Sequence, residues 1–432
     1  MKHNKYERNP LNIIQIVAYN LLQWSIIIIC LPILIPLACI HTKRKQTFFK
    51  RLGFQNIAAF QRPVWVHALS VGEVLSALPI IEAMRKKWPD KAIVFSASTL
   101  SGYEMAQNMR NQVNEIIYFP YDFIFSVQWL IKKVDPSVFV LVESDIWPNF
   151  LTHLYRKKIP SILLNARLSK ESYRGYQLLK WFMQPALQTF SGICVQSDIQ
   201  KGRFECFDID PSKIIVSGNV KFDQKRHLLS QSDIDNLQKD LGLTKSTPVI
   251  VAGSTHAGEE EILIDVFLRL IKQYPDLKMI IAPRDPTRAR EIQTICHANH
   301  LPAVLYSQQR IFEKILVVDQ MGVLGKLYAL AKIAFVGGSM VAEGGHNPLE
   351  PASMAKPVVF GADMHDFPEV SKRLVNEGAA LQVEDSNELY QTFQILLDDT
   401  DLARQYGLKG IEIVKDSQGA VQQNLNFLVN YI

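Results

Sequence analysis

No two cysteines stand at C-x-x-C spacing. Cys30, Cys39, Cys194, Cys206 and Cys296 are scattered over 432 residues, which suggests neither a disulfide framework nor a zinc knuckle and fits a reducing compartment. His256, His346 and His365 make no helical pair or other metal-ligand spacing, so no metal site and no cofactor are expected. Two nucleotide signatures are missing as well. Without G-x-x-x-x-G-K-[ST] the chain is not read as a P-loop protein, and without G-x-G-x-x-G opening the first helix it is not read as an ordinary dinucleotide enzyme. The net charge of +5 is mild and gathers on no basic face, so nucleic acid is not an expected partner.

Charge is absent altogether from Asn9 to Ile40, a stretch longer than the ~20 apolar residues a membrane helix needs. Leu11–Trp24 carries Asn12, Gln15, Asn20 and Gln23 near helical spacing and suits a position in the interface. Ile26–Ile40 is apolar apart from Cys30 and Cys39 and is interrupted by Pro32 and Pro36. Lys43-Arg44-Lys45 stands where a signal peptide would have its small-residue cleavage site, so a retained anchor is expected. Basic residues are in excess on the C-terminal side, which assigns the bulk of the chain to the cytoplasm.

What is present is a globular composition, 48% hydrophobic and 21% charged, at a length that favours more than one domain. Short apolar runs alternate with amphipathic segments: VWVHAL, AIVFSAS, IIYFP, VFVLVES, SILLNA and GICVQS, then PVIVAGS, LKMIIAP, ILVVD, IAFVGGS and PVVFG. Runs of this kind predict parallel sheets covered on both faces. The fold class is therefore α/β, with two doubly wound Rossmann-like domains facing across a cleft and an N-terminal membrane-anchor helix. The polar stretch Lys221–Ser246 separates the halves. The expected domains are 1–45 (anchor), 46–225 and 226–432, with the last helix a candidate to pack back on the first domain.

In such sheets ligands bind beyond the carboxyl ends of strands. After VWVHAL comes Ser70-Val71-Gly72-Glu73, which fits a capping box but also puts a carboxylate where it could take a proton from an acceptor hydroxyl. Glu143 and Asp145 follow VFVLV, and two acids at a strand's end need a partner or water. Arg167, in the turn after the next strand, is the natural partner, in an ion-pair network or a substrate site. In the second half, Ser254, Arg284, Met321-Gly322 and the stretch from Gly337 to Glu350 all follow strands, and Lys221 lies beside the hinge. Gly338, Ser339 and Gly345 let backbone approach a ligand, and the helix expected to start near Pro348 offers free N–H groups to an anion. Lys221 and Arg284 suit a phosphate, leaving Glu350 for ribose hydroxyls. The paired domains and the acid-ending glycine loop suggest a nucleotide-sugar glycosyltransferase of the GT-B architecture.

HALSVGEV, ESDIWPN, NARLS, GNVKFD, GSTHAGEE, APRDP, MG and FVGGSMVAEGGHNPLEP, in this order behind an apolar N-terminus, closely resemble the 3-deoxy-D-manno-octulosonic acid (Kdo) transferase family over essentially the whole chain. The resemblance implies inverting transfer of Kdo from CMP-Kdo to the glucosamine disaccharide of a lipid A precursor, in lipopolysaccharide biosynthesis. It places the enzyme on the cytoplasmic face of the inner membrane, without a metal. Carried over by position, Glu73 resembles the catalytic base, with Ser70, Gly72, Glu143, Asp145 and Arg167 on the acceptor side. Ser339, Asn347 and Glu350 match the CMP-binding loop, joined by Lys221, Ser254, Arg284, Met321, Gly322, Gly338 and Gly345. Asp145 stands where the family commonly has Glu, and Val323 where an acid is common. Other readings are a GT-B enzyme for a different nucleotide sugar, or a membrane-tethered nucleotide-sugar-binding protein without catalysis.

Overall fold

The computed structural model describes residues 13–40, 42–143, 145–223, 229–308 and 311–432. The basic residues before the apolar N-terminal stretch, Lys2, Lys5 and Arg8, and the expected boundary at 225/226 lie outside them. The chain divides into two compact units, Met1–Gln224 with Ser417–Ile432, and Lys225–Asp416.

Unit 1 holds a seven-stranded, all-parallel sheet. Its strands are β1 (Val64–Ala68), β2 (Ile93–Ala97), β3 (Glu115–Tyr118), β4 (Val138–Val142), β5 (Ser161–Ala166), β6 (Gly192–Val195) and β7 (Ile214–Val216), in the order β3-β2-β1-β4-β5-β6-β7. Strands β1, β2 and β4 are buried at every residue, which is why they read as apolar runs, broken only by His67 in β1 and Ser96 in β2. Helices cover both faces, and on one of them Trp65 stands edge-on to Phe139 and to Phe150 of the helix Pro148–Arg156. The strand order reverses between β1 and β4, paired in register from Val64 against Val138 to His67 against Leu141. At such a switch point the loops part and leave a crevice. Just beyond these two strand ends stand Glu73, in the first turn of the following helix, and Glu143.

Unit 2 repeats the plan with β8 (Val249–Thr255), β9 (Lys278–Pro283), β10 (Ala303–Leu305), β11 (Ile315–Val317), β12 (Ile333–Val336), β13 (Val358–Phe360) and β14 (Ala380–Gln382), in the order β10-β11-β9-β8-β12-β13-β14. Its switch point lies between β8 and β12, which pair from Ile250–Ile333 to Gly253–Val336. The residues that follow are Ser254–Gly258 and Gly337–Asn347. Strands β7, β10 and β14 are absent from the sequence reading. Each is three residues long and at a sheet edge, too short to show a pattern.

The final residues return to unit 1 as the helix Ala420–Leu428. The Asp223 carboxylate accepts from Gly419 N and Val421 N at its start (2.6 and 2.5 Å), and Asn424 donates to Ser217 Oγ (3.0 Å). Phe427 lies directly over Gly192, where a Cβ would come within 2.3 Å of its ring.

The N-terminal helix runs unbroken from Ile13 to Ile40, 28 residues with no charge in its first or last turn, through both prolines. At 1.5 Å per residue it is about 42 Å long. Among the residues described with their side chains, no helix is long and apolar enough to cross a membrane.

Candidate active site

Glu73 lies in the first turn of the helix Val71–Lys87 and is buried, only 8% exposed. Ser70 is the N-cap but makes no side-chain capping bond, so the capping box does not form. Instead Glu73 Oε2 accepts from Leu69 N at 2.5 Å, which aims the carboxylate back over the end of β1. Burial pushes its pKa up to about 8. The Leu69 N–H and Lys221 oppose the rise, and the charges of Glu143 and Asp145 add to it. Gly72 is exposed, with open space around the position a Cβ would take.

Glu143 ends β4 with a left-handed backbone (φ 72°), a conformation that costs of order 1–3 kcal/mol in a non-glycine residue and clusters at functional sites. Its Oε1 accepts from Ser76 Oγ (2.8 Å) and pairs with Lys221 Nζ (3.3 Å). Asp145 Oδ2 accepts from Trp147 Nε1 (2.6 Å) and lies 3.2 Å from His67 Nε2. Neither acid pairs with the Arg167 side chain; among the described residues Arg167 gives its backbone N–H to Glu143 O at 3.4 Å. The expected Arg167 partnership is therefore replaced by two separate ones, because the turn after β5 faces the acids with backbone while Lys221 and His67 face them with side chains. Lys221, grouped by sequence with the phosphate side, belongs to unit 1 among the carboxylates.

Sequence reasoning missed His67. It is fully buried in β1 and stacked on Phe119 with ring centroids 3.8 Å apart. Trp65 Nε1 donates to Ser96 Oγ (2.8 Å), and that hydroxyl lies 3.0 Å from His67 Nδ1. Nδ1 also lies 3.0 Å from the Ser96 carbonyl oxygen, an acceptor only, while Nε2 faces the Asp145 carboxylate, so both ring nitrogens meet an oxygen that accepts. The available signal was a polar residue inside an otherwise apolar strand, which must be hydrogen-bonded to be tolerated there.

In unit 2 the glycine stretch is shaped by an acid that the motif reading left unused. Glu259, at the first position of the helix Glu259–Leu270, is completely buried. Its Oε2 accepts from His256 N (2.9 Å) and Gly338 N (2.7 Å). Oε1 accepts from Ser339 N and Met340 N, both at 3.0 Å. The amides of the glycine stretch are thus held by a carboxylate of the protein. Ser339 is fully buried too; its hydroxyl donates to Val336 O (2.6 Å) and accepts from Gly361 N (2.8 Å). The loop folds back on itself through Gly345 N to Gly338 O (2.7 Å), with Gly338 at φ 70° and Gly345 at φ 69°.

The helix expected at Pro348 is one turn, Leu349–Ala352, and Asn347 Oδ1 accepts from Leu349 N (3.1 Å) at its start. So short a helix has little dipole, which moves anion binding toward side chains. Arg284 is exposed, with its backbone N–H donating to Thr255 O (2.9 Å). His346 and His256 meet Nε2 to Nε2 at 2.8 Å. Burial, then Arg284 and His256, push the pKa of His346 down to about 4. Glu350 is half-buried over Gly325, where a Cβ would come within 2.9 Å of Oε1. Ser254 has a left-handed backbone (φ 59°), and Met321 and Gly322 (φ 82°) form an exposed turn.

A close approach of chains fixes this switch point. A Cβ on Gly337 would lie 2.5 Å from Ser254 O and 2.6 Å from Thr255 Cα, backbone atoms that cannot swing away. Gly337→Ala is expected to destabilise the protein by at least ~2 kcal/mol through overpacking. Urea unfolding checks this, and an unchanged midpoint contradicts it.

Each unit is an all-parallel sheet with charged side chains beyond its strand ends. The fold has a solved counterpart in the UDP-GlcNAc 2-epimerase of Neisseria meningitidis bound to UDP-GlcNAc, at TM-score 0.59 and 14% identity, covering 86% of this chain and 99% of that one. The chain defines a glycosyltransferase of this two-unit α/β class. Residues 46–224 match the family described as 3-Deoxy-D-manno-octulosonic-acid transferase (kdotransferase). The 3-deoxy-D-manno-octulosonic acid transferase of Haemophilus influenzae is 30% identical over 419 residues, 94% of this chain and 97% of that protein. A bifunctional glycosyltransferase/methyltransferase of Fusobacterium nucleatum is 33% identical over 82% of this chain and 56% of its own length. The chain belongs to the 3-deoxy-D-manno-octulosonic acid transferase family.

Proposed function

We propose that this enzyme moves Kdo from CMP-Kdo to a glucosamine hydroxyl of a lipid A precursor, with inversion, and that Glu73 is the general base. The observation that carries the reading is a buried carboxylate at the β1 switch point whose pKa is raised to about 8, near the range where a base works best at neutral pH. Lys221 pairs with Glu143 and stabilises the acid cluster without quenching Glu73. In unit 2, Arg284 faces the CMP phosphate, the turn at Met321-Gly322 lies against the base, and Glu350 accepts from ribose hydroxyls. Ser339, Gly338 and Gly345 hold the loop's shape, with Ser254 and Asn347 at its rims. The donor is already activated, so orientation, a base and charge stabilisation suffice.

The N-terminal helix is the proposed membrane anchor at the cytoplasmic face of the inner membrane. Its exposed Ile14, Val17, Leu21, Leu22, Ile28 and Ile29 are suited to acyl chains, and an enzyme held there meets its lipid acceptor without extracting it.

The test is the mass of the product formed by purified enzyme from CMP-Kdo and the tetra-acylated disaccharide precursor. A gain of one or more Kdo units is expected; turnover of a UDP- or GDP-sugar in its place would sink the assignment. For Glu350→Ala, CMP is expected to bind about tenfold more weakly, the loss of one charge-assisted hydrogen-bonded contact. Calorimetry reads this directly, and unchanged affinity removes Glu350 from the ribose site.

A further inference from the structure

The first half of the N-terminal helix is built into unit 1. Ile16 is buried against Ala186, with Ile146 and Phe182 packed on the pair. Gln15 Nε2 donates to Trp181 O (2.8 Å), and the Tyr19 ring lies 5.2 Å from that of Phe182. Tyr19 OH donates to Asp122 Oδ2 at 3.1 Å. Asn20 and Asn149 exchange side-chain amide hydrogen bonds in both directions, at 3.1 and 3.0 Å.

Asp122 is 3% exposed and also accepts from Asn149 N and Phe150 N, both at 2.9 Å. It thereby caps the helix Pro148–Arg156 from a distant loop, while Asn149 Nδ2 donates to Asp122 O at 2.6 Å. The polar contacts of Asn20 and Asp122 with Asn149, and the packing of Ile146 on Ile16, converge on one short segment, Asp145–Asn149. Its first residue is the acid beside His67, its second packs on Ile16, its third donates to the acid, and its fifth is tied to Asn20 and Asp122. The segment is gripped on one side by the site and on the other by the N-terminal helix.

A tether needs only apolar surface and a link. Polar side chains brought together in a reciprocal, largely buried network instead fix a register, since each costs free energy if its partner moves away. We propose that the N-terminal helix is a positioning element of the active site: Asn20 and Tyr19, acting through Asn149 and Asp122, set the segment that holds Asp145 against His67. This rests on the reading of the Glu73, Glu143 and Asp145 cluster as the catalytic site. Displacements of about 1 Å far from the chemistry can cost on the order of a hundredfold in rate, so a loosened segment has a measurable effect.

The test uses the full chain in lipid nanodiscs carrying the acceptor, as Asn20→Ala, Tyr19→Phe, Asp145→Asn and the Asn20→Ala/Asp145→Asn pair, each checked for cooperative unfolding and for flotation with vesicles. Tyr19→Phe removes one oxygen and keeps the ring, so it guards against a folding defect. Asn20→Ala is expected to lower kcat about tenfold and Tyr19→Phe less, with donor KM within about twofold and vesicle binding retained. In the Asp145→Asn background, Asn20→Ala is expected to cost under about twofold, because two residues acting through one group are not additive. The proposal is overturned if both single variants keep parental kcat, if activity is lost only in proportion to vesicle binding, or if the effects multiply in the pair. If Asp145→Asn alone keeps full activity, the reading of the acid cluster has failed, and with it the route through Asp145.

Discussion

Glu73→Gln is expected to lower kcat by ~10²–10⁴, the usual contribution of a positioned general base, with CMP affinity unchanged. The side chains are nearly isosteric, and the amide oxygen of Gln still accepts from Leu69 N, the bond that aims the carboxylate. The fold should therefore survive. The pH dependence follows from the same burial. With the pKa raised to about 8, Glu73 is mostly protonated at neutral pH, so kcat/KM rises with pH and levels off above about 8. Stability runs the other way. A carboxyl whose folded pKa lies above its unfolded value contributes stability that is fully present below ~4.3 and is lost as pH rises through the folded value. Glu73→Gln should thus flatten stability between roughly pH 4.3 and 8. A variant that transfers Kdo at the parental rate, or a parental rate that does not vary from pH 6 to 9, excludes Glu73 as the base.

Glu259→Gln is expected to destabilise the protein by at least about 3 kcal/mol and to abolish CMP binding at concentrations that saturate the parent. The buried carboxylate takes four backbone N–H groups, from His256, Gly338, Ser339 and Met340. A carboxamide keeps one acceptor oxygen and turns an NH2 toward amides that can only donate, leaving at least two buried donors unsatisfied. The negative charge also belongs where it stands, at the first turn of a helix. Thermal unfolding and calorimetric CMP titration read the two effects. A native transition temperature would mean that the loop keeps its shape without Glu259.

The sheets were legible because strands buried on both faces are predominantly apolar along their length, and the switch points followed from where those runs end. Glu73 was legible as a strand-end acid, though with the wrong hydrogen bond, since Ser-x-x-Glu does not say that Leu69 N will be nearer than Ser70 N. The partners of Glu143 and Asp145 were not legible. Arg167 is closer in the sequence than Lys221 or His67, but pairing is decided by which side chains the turns project, and β5 and β7 deliver backbone and lysine respectively. Glu259 hid in an acidic triplet, Glu259-Glu260-Glu261, that reads as a solvated helix start; two of its three members are fully buried. The second of them, Glu260, pairs with Arg288 at 2.9 Å.

In the grammar of gene fusions, unit 2 is an insert. It is one uninterrupted piece of chain, whereas unit 1 is written in two parts separated by all of unit 2. The points of departure and return are stitched side by side, because the carboxylate of Asp223, just before the exit, holds the amides of Gly419 and Val421, just after re-entry. A single cut at Gln224 therefore never yields unit 1. It strips Phe427 from Gly192 in β6, the strand beside the sheet edge, and removes the helix that steadies the segment bearing Lys221, so a faithful excision takes two cuts and one short splice.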